Sequence, residues 1–267
     1  MEFTHLLGYI LAVFVGISLG LIGSGGSILT VPILVYIMAV EPVLATAYSL
    51  FIVGSTALVG GVQSALLKKV DFKTAIIFGI PSIVAVYLTR AYLVPFLPET
   101  FFTFQAFTLT KPIALMLLFA VVMILASFSM IRPSKILVDE HAPMQYNYPM
   151  ILVEGTLVGV LTGLVGAGGG FLIIPALVLL AKMPMKLAVG TSLFIIAAKS
   201  LLGFLGDLKG DESIDWNLLL IFTALSILGI FIGISLAKKV EGAKLKTGFG
   251  WFVLVMGVYI ILKELVL

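Results

Sequence analysis

The sequence predicts an all-α integral membrane protein made of two inverted homologous repeats of five hydrophobic segments each, with glycine-broken half-helices. Three observations predict this fold. The 267 residues are 61% hydrophobic and only 11% charged, which leaves more apolar surface than a soluble domain of this size buries. Ten apolar segments follow one another along the chain, and matching glycines and prolines relate the first five to the last five.

The apolar segments differ in length, and most of them are long enough to cross a bilayer. Segments 28–40 and 171–181 are too short, because as helices they reach roughly 20 Å and 17 Å against a hydrocarbon core of ~30 Å. They are predicted to be half-helices, so the chain crosses the membrane eight or ten times. The ten segments, in chain order, are 6–22, 28–40, 44–67, 72–94, 113–131, 148–165, 171–181, 187–205, 216–237 and 248–265.

An internal repeat becomes visible when residue n is laid over residue n + 143. The overlay has no gap from 15 to 35, and apolar composition alone would not bring glycines and prolines into register. It predicts an N-terminal repeat at 1–131, a cytoplasmic linker at 132–148 and a C-terminal inverted repeat at 149–267. Identical pairs include Gly16/Gly159, Gly20/Gly163, Gly23/Gly166, Gly25/Gly168, Gly26/Gly169, Pro32/Pro175 and Val35/Val178.

The charges predict the orientation. An odd number of segments per repeat makes the two repeats enter the membrane in opposite senses. Eleven of the sixteen Lys and Arg residues lie at odd-numbered segment boundaries, which the positive-inside rule assigns to the cytoplasm. Both termini are therefore expected outside a plasma membrane of the bacterial inner-membrane type. Because the net charge is only +3 and lies in short clusters, the sequence does not predict nucleic-acid binding.

Two glycine-rich breaks, at 23–27 and 166–170, each precede a half-helix with a proline further on. Irregular backbone at membrane depth is tolerated only when it is buried in protein or lines an aqueous cavity. The N–H groups at the start of each half-helix favour anions, and paired broken segments in inverted repeats indicate a transporter's central site. Tight helix packing is the alternative interpretation. The predicted substrate-binding residues here are Gly23, Ser24, Gly25, Gly26, Ser27, Gly166, Gly168, Gly169 and Gly170.

The third segment of each repeat carries a small, polar face. It contains Ser49 and Thr56 in the first repeat and Ser192 and Lys199 in the second, and helical spacing keeps these residues on one side. Ser49, Ser192 and Lys199 are predicted to bind substrate. Close packing with back-bonded hydroxyls is the alternative for the serines. A lysine inside the membrane is costly, so Lys199 is also a candidate for proton coupling, although snorkelling remains an alternative.

Other ionisable residues carry weaker signals. Glu154 is a second candidate for proton coupling, or else an acid at the membrane interface. Arg90 is expected to snorkel, and Asp207 is expected to belong to a solvated outer acidic loop. The chain has no cysteine and only two histidines, and no catalytic triad or metal-ligand cluster is evident. We therefore expect no enzyme activity, no cofactor and no metal.

The doubled pattern G-x-x-x-G-x-x-G-x-G-G-x…P runs from Gly16 to Pro32 and again from Gly159 to Pro175. With this pattern the whole chain resembles the TauE/SafE sulfite exporter family. The resemblance implies transport of sulfite, thiosulfate, sulfoacetate or a related small anion. One departure is Ser27, where the second copy has Gly170, so the first break offers an additional hydroxyl.

Together these features predict a secondary transporter, and by resemblance an exporter, of a small sulfur-containing anion. The expected partners are that anion, a coupling ion (proton or sodium) and the lipid bilayer, while oligomeric state is left open. Alternating access would occur around a midplane site at the two breaks. The alternatives are an anion channel and a non-transporting membrane accessory protein. An intramembrane enzyme would need catalytic residues that the sequence does not offer.

Overall fold

The computed structural model describes residues 2–23, 26–104, 107–131, 148–180, 183–208, 214–237 and 242–266. Seven helices in these ranges are long and apolar enough to cross a membrane, and shorter apolar helices are present at Gly26–Ile37 and Pro149–Val165. The predicted all-α integral membrane fold is confirmed. Most of the predicted linker, together with Ser24 and Gly25, lies outside the described residues.

The described part of the first half contains one short helix after the glycine-rich break and four long ones. Asp71 and Glu41 cap the long helices that follow them, since their carboxylates accept backbone N–H groups of the first turn. Two helices pass into π-helical turns, at Ile33–Ile37 and Thr89–Leu93. The helices are α1 (Glu2–Ile22), α2 (Gly26–Pro32), α3 (Pro42–Leu66), α4 (Phe72–Leu88), α5 (Val94–Phe96) and α6 (Lys111–Ile131).

The second half repeats this order. Its broken segment is one short helix of 11 residues that begins at the second glycine-rich break. Asp215 caps the penultimate helix by accepting the N–H groups of Asn217 and Leu218 at 3.0 and 3.1 Å. The helices are α7 (Tyr148–Val165), α8 (Gly170–Leu180), α9 (Met185–Asp207), α10 (Trp216–Leu236) and α11 (Gly242–Val266).

A short antiparallel hairpin, which the sequence analysis did not predict, lies between α5 and α6. Its strands are β1 (Thr100–Phe104) and β2 (Phe107–Thr110). Both strands are rich in phenylalanine and threonine, which favour extended backbone. The hydropathy pattern had merged this stretch into the connection between two membrane segments.

The most extensive helix contacts join one half of the chain to the other. They pair α1 with α10, α3 with α9, α4 with α7 and α6 with α11. Glycines allow the close approach: a β-carbon on Gly16 would overlap the carbonyl oxygen of Ser226, and one on Gly159 would lie 2.5 Å from that of Ser82. The outward faces carry large apolar side chains, such as Leu220 and Leu228, as lipid contact requires.

Helices α3 and α9 cross in antiparallel directions at the centre of the molecule. A β-carbon on Gly54 would lie 2.9 Å from Leu201 Cγ, and one on Gly61 would lie 3.3 Å from Phe194 Cα. Moving forward along α3 therefore means moving backward along α9. In this register Thr56 and Lys199 lie at the same level, between the two glycine contacts and nearer to that of Gly54.

Candidate functional site

The two glycine-rich breaks lie against each other. A β-carbon on Gly168 would lie 3.2 Å from Ser27 Cβ, and its other neighbours are Val53 of α3 and Ile196 of α9. Ser27 is fully buried. Residues 141 positions apart in sequence thus meet where the two central helices cross, which is the arrangement that the repeated motif predicted.

Each break also packs against the third helix of the opposite half. A β-carbon on Gly23 would lie 2.5 Å from Val189 Cγ1, and one on Gly166 would lie 2.6 Å from Thr46 Cα. Their φ angles are +78° and +73°, in the left-handed region that glycine adopts without a steric cost. Val189 is 143 residues after Thr46, just as Gly166 is 143 after Gly23. The two breaks therefore make equivalent contacts.

Lys199 reaches the second break from α9. Its side chain is fully buried, and Nζ donates a hydrogen bond to Thr162 Oγ1 of α7 at 2.9 Å. A β-carbon on Gly169, which has a φ of +61°, would lie 2.7 Å from Nζ. The ammonium group is consequently next to the break, and Gly170 then begins α8. The N–H groups of Leu172 and Ile173 already donate to the carbonyl oxygen of Gly169 at 3.1 and 3.2 Å. The earlier N–H groups of α8, those of Gly170 and Phe171, are the backbone donors that remain beside the ammonium group.

No acidic side chain in the described ranges compensates the charge of Lys199. The ion pairs found there join Arg90 to Asp207 and Lys111 to Glu99, so no described carboxylate lies within 4.0 Å of Nζ. An unpaired cation in a dry interior is expensive. The arrangement is therefore electrostatically suited to an anion.

A crevice runs beside this ammonium group, and its walls are mostly apolar. It is too narrow to admit a water molecule. The lining residues are Val122, Leu161, Thr162, Val165, Ala167, Gly169 and Leu172.

The two predicted serines occupy matching faces of α3 and α9. Ser49 is three residues after Thr46, and Ser192 is three residues after Val189, so each shares a helix face with a residue that contacts a break. Both serines are fully buried. Ser192 Oγ donates to the carbonyl oxygen of Val189 at 2.8 Å, whereas Ser49 Oγ is buried without a hydrogen-bond partner. Ser49 therefore offers a buried hydroxyl whose hydrogen-bonding capacity is unused.

Glu154 is not brought to this site. It lies eight residues before Thr162 on α7, roughly 12 Å along the helix. Its side chain is partly buried and Oε2 has no hydrogen-bond partner. Its predicted role in proton coupling stays a prediction.

The expected positions of Arg90 and Asp207 were wrong. Arg90 does not snorkel, because its residue is only 1% exposed, and its Nη1 lies 3.4 Å from Oδ1 of Asp207. Gly206 allows the approach, since a β-carbon there would lie 2.9 Å from Arg90 Cβ. Asp207 is the last residue of α9 and pairs with this cation instead of standing in a solvated loop.

Sequence reasoning also missed Thr162, the hydrogen-bond partner of Lys199. The sequence does contain an indication of its role. When the repeats are overlaid, Thr162 falls on Leu19, so the second repeat has a polar residue where the first has an apolar one. Among the residues that the structure describes, no group of three or more His, Asp or Glu side chains could hold a metal ion.

Comparison with known proteins gives one family. The family model described as "Sulfite exporter TauE/SafE" matches residues 8–260. A "Probable membrane transporter protein" of Xylella fastidiosa strain 9a5c is 29% identical over 257 residues, covering 94% of this chain and 92% of the relative. The "Probable membrane transporter protein YunE" of Bacillus subtilis is 26% identical over 266 residues, covering 88% and 90%. No solved structure was found to match.

Proposed function

Because the chain belongs to the TauE/SafE sulfite exporter family, we propose that this membrane transporter exports a small sulfur-containing anion, such as sulfite, thiosulfate or sulfoacetate. The observation that carries the proposal is the buried Lys199 ammonium group, which has a hydroxyl partner but no described carboxylate partner. A bound anion would supply the missing counter-charge.

The proposed site combines three kinds of donor. The Lys199 ammonium group provides the positive charge. The hydroxyl groups of Thr162 and Ser49 and the first two N–H groups of α8 provide directional hydrogen bonds. Sulfite, thiosulfate and sulfonate groups each carry several acceptor oxygens on one sulfur atom. The glycines at the breaks let such a group approach the backbone, because side chains would fill that space.

The proposed transport cycle uses alternating access. Residues of both halves meet at the breaks, and the crevice beside Lys199 is closed to water. Relative movement of the halves would open the site to one side of the membrane and then to the other. We propose that the chain resides in a bacterial-type inner membrane with both termini outside. A proton or sodium ion would provide coupling, with Lys199 and Glu154 as the candidate proton carriers.

Reconstituted protein tests this function directly. Proteoliposomes containing the purified chain should take up labelled thiosulfate or sulfoacetate with saturation and should show counterflow when loaded with unlabelled anion. Sulfate and simple carboxylates serve as competitors that rank the specificity. Flux that neither saturates nor shows counterflow would indicate a channel. An accessory protein would show neither flux nor thermal stabilisation by any of these anions.

The proposed orientation has a separate test, which the absence of native cysteine makes simple. Single cysteines replace Ser134 in the linker or Leu267 at the C-terminus. In intact cells an impermeant thiol reagent should label the cysteine at 267 and leave the one at 134 unlabelled until the membrane is permeabilised. The reverse pattern would place the linker outside.

A further inference from the structure

A second cation lies buried in the membrane domain, apart from Lys199. Arg90 is in the π-helical turn that follows α4, and its side chain has no exposed surface. Nη1 faces Asp207 Oδ1 at 3.4 Å, which is long compared with about 2.7–2.9 Å for a good charge-assisted bond. Nε and Nη2 are buried and have no hydrogen-bond partner. This guanidinium group is therefore only partly satisfied.

We propose that the Nε–Nη2 edge of Arg90 is a second anion-binding site, which takes the transported oxyanion between Lys199 and the end of α9. The proposal rests on the proposed transport function for the identity of the anion. The parallel N–H groups of this edge match two oxygens of one sulfonate, sulfite or thiosulfate group, a geometry that lysine does not offer. Asp207 occupies the other side of the guanidinium and leaves this edge unused.

The seam between α4 and α9 connects the two cations. Lys199, Gly203 and Gly206 share one face of α9 by their spacing of four and three residues. A β-carbon on Gly203 would lie 3.1 Å from Val86, and one on Gly206 would lie 2.9 Å from Arg90 Cβ. The distance along α9 from position 199 to position 206 is roughly 11 Å. An anion can pass along this stretch of the seam between the two cations when the helices part.

The carboxylate of Asp207 competes with a bound anion for the positive charge of Arg90. Its carboxylate neutralises Arg90 while no anion is bound, which limits the cost of a buried guanidinium. An anion bound at the Nε–Nη2 edge would then be attracted by Arg90 and repelled by Asp207. Binding at this edge should consequently be weaker than at Lys199, as a transient position in a transport path requires.

The experiment measures thiosulfate affinity from the concentration dependence of thermal stabilisation of the purified full chain. The Lys199→Gln variant should keep a weak, saturable response to thiosulfate, which reports the second site alone. Adding Arg90→Lys should reduce that residual affinity by about tenfold or more, because the charge opposite Asp207 remains but the paired edge is lost. Lys111→Gln, which removes the cation of the other ion pair, is the matched control and should leave the response unchanged.

A second variant separates anion binding from a purely structural ion pair. Asp207→Asn removes the competing charge and should tighten thiosulfate binding in the Lys199→Gln background by at least about fivefold. A structural pair predicts lower thermal stability without any change in affinity, and that result would overturn the inference.

The same measurements separate this inference from the proposed function. If Lys199→Gln alone abolishes every response to thiosulfate, the second site is wrong and the central site stands. A parental response in Lys199→Gln that Arg90→Lys removes would support the second site and refute the central one. A parental protein that responds to none of thiosulfate, sulfoacetate and sulfate would refute both.

Discussion

The two halves place different side chains on equivalent backbone at the start of their half-helices. In the second half, Gly169 lies against Thr162 and Lys199, whose side chains are hydrogen bonded to each other. In the first half, the matching glycine is Gly26, which lies against the backbone and the side chain of Leu19. The first-half equivalents, 143 residues earlier, are Gly26, Leu19 and Thr56.

This difference separates a role in folding from a role in function. Gly26 and Gly169 both allow a close contact, which a repeated fold requires. A cation, that of Lys199, lies beside Gly169 and not beside Gly26. Thr56 Oγ1 donates to the carbonyl oxygen of Ile52 in its own helix at 2.7 Å, so it is satisfied without a ligand. At the breaks, the second half therefore carries the charge and the first half contributes shape and hydroxyl groups, and one anion per molecule is the expected stoichiometry there.

The largest effect should come from removing the cation. Lys199→Gln should weaken anion binding roughly 10- to 100-fold, because a charge-assisted contact in a buried site is lost. Lys199→Arg should restore only part of the affinity, since the planar guanidinium has a different shape. Titration of purified protein with thiosulfate measures both. Thr56→Val, at the equivalent position, is the control and should bind normally; equal losses in the two variants would erase the proposed difference between the halves.

A smaller loss is expected from crowding the ammonium group. Gly169→Ala would put a β-carbon 2.7 Å from Nζ of Lys199 and would force alanine into a φ of +61°. Left-handed backbone costs a non-glycine residue about 1–3 kcal/mol, so affinity and thermal stability should both fall. Gly79→Ala is the control, because nothing lies within 4 Å of a β-carbon there. Normal thiosulfate uptake by Gly169→Ala would show that this contact is dispensable.

Removing the hydroxyl that holds Lys199 should have a moderate effect. Thr162→Val deletes the 2.9 Å hydrogen bond while keeping the shape of the side chain, and one hydrogen bond contributes about 0.5–1.5 kcal/mol. Thiosulfate affinity should fall about three- to tenfold, and Thr162→Ser should recover most of it. Thr156→Val, on an exposed face of the same helix, is the control. An unchanged affinity in Thr162→Val would mean that Lys199 is positioned by packing alone.

The smallest effects on anion affinity are expected from Ser49 and Ser192, the matching serines of the two halves. Ser49→Ala should weaken anion binding about two- to fivefold, because its hydroxyl has no partner in the protein and is available to the ligand. Its thermal stability without anion should be unchanged or higher, since an unsatisfied buried group is removed. Ser192→Ala loses a bond within its own helix and should change affinity little. The opposite ranking of the two affinities would assign the ligand contact to the second half.

Much of the fold followed from local features of the sequence. Apolar length located the helices, and the glycines of the two motifs located the half-helices, because only short-range geometry is needed to break a helix in a membrane. The same motifs predicted that the breaks belong to one site, and Gly168 does lie against Ser27. Predicted roles in binding stay predictions for all of these residues.

The contacts that were missed depend on tertiary packing. Arg90 and Asp207 are 117 residues apart, and their pairing requires Gly206 to bring α9 close to the end of α4. Thr162 was overlooked because a threonine in an apolar helix usually bonds to its own backbone, as Thr56 does. Helical periodicity shows which face a residue occupies but does not show what lies opposite that face.

The exchange of packing surfaces between halves has a consequence for how the protein is made. Helices α1, α3, α4 and α6 find their most extensive partners in α10, α9, α7 and α11. During synthesis the helices of the first half are therefore inserted before their partners. Gly16 and Gly54 then face lipid until the rest of the chain has been inserted. An isolated N-terminal half would lack its partner surfaces, whereas two separately expressed halves are expected to assemble into the complete protein.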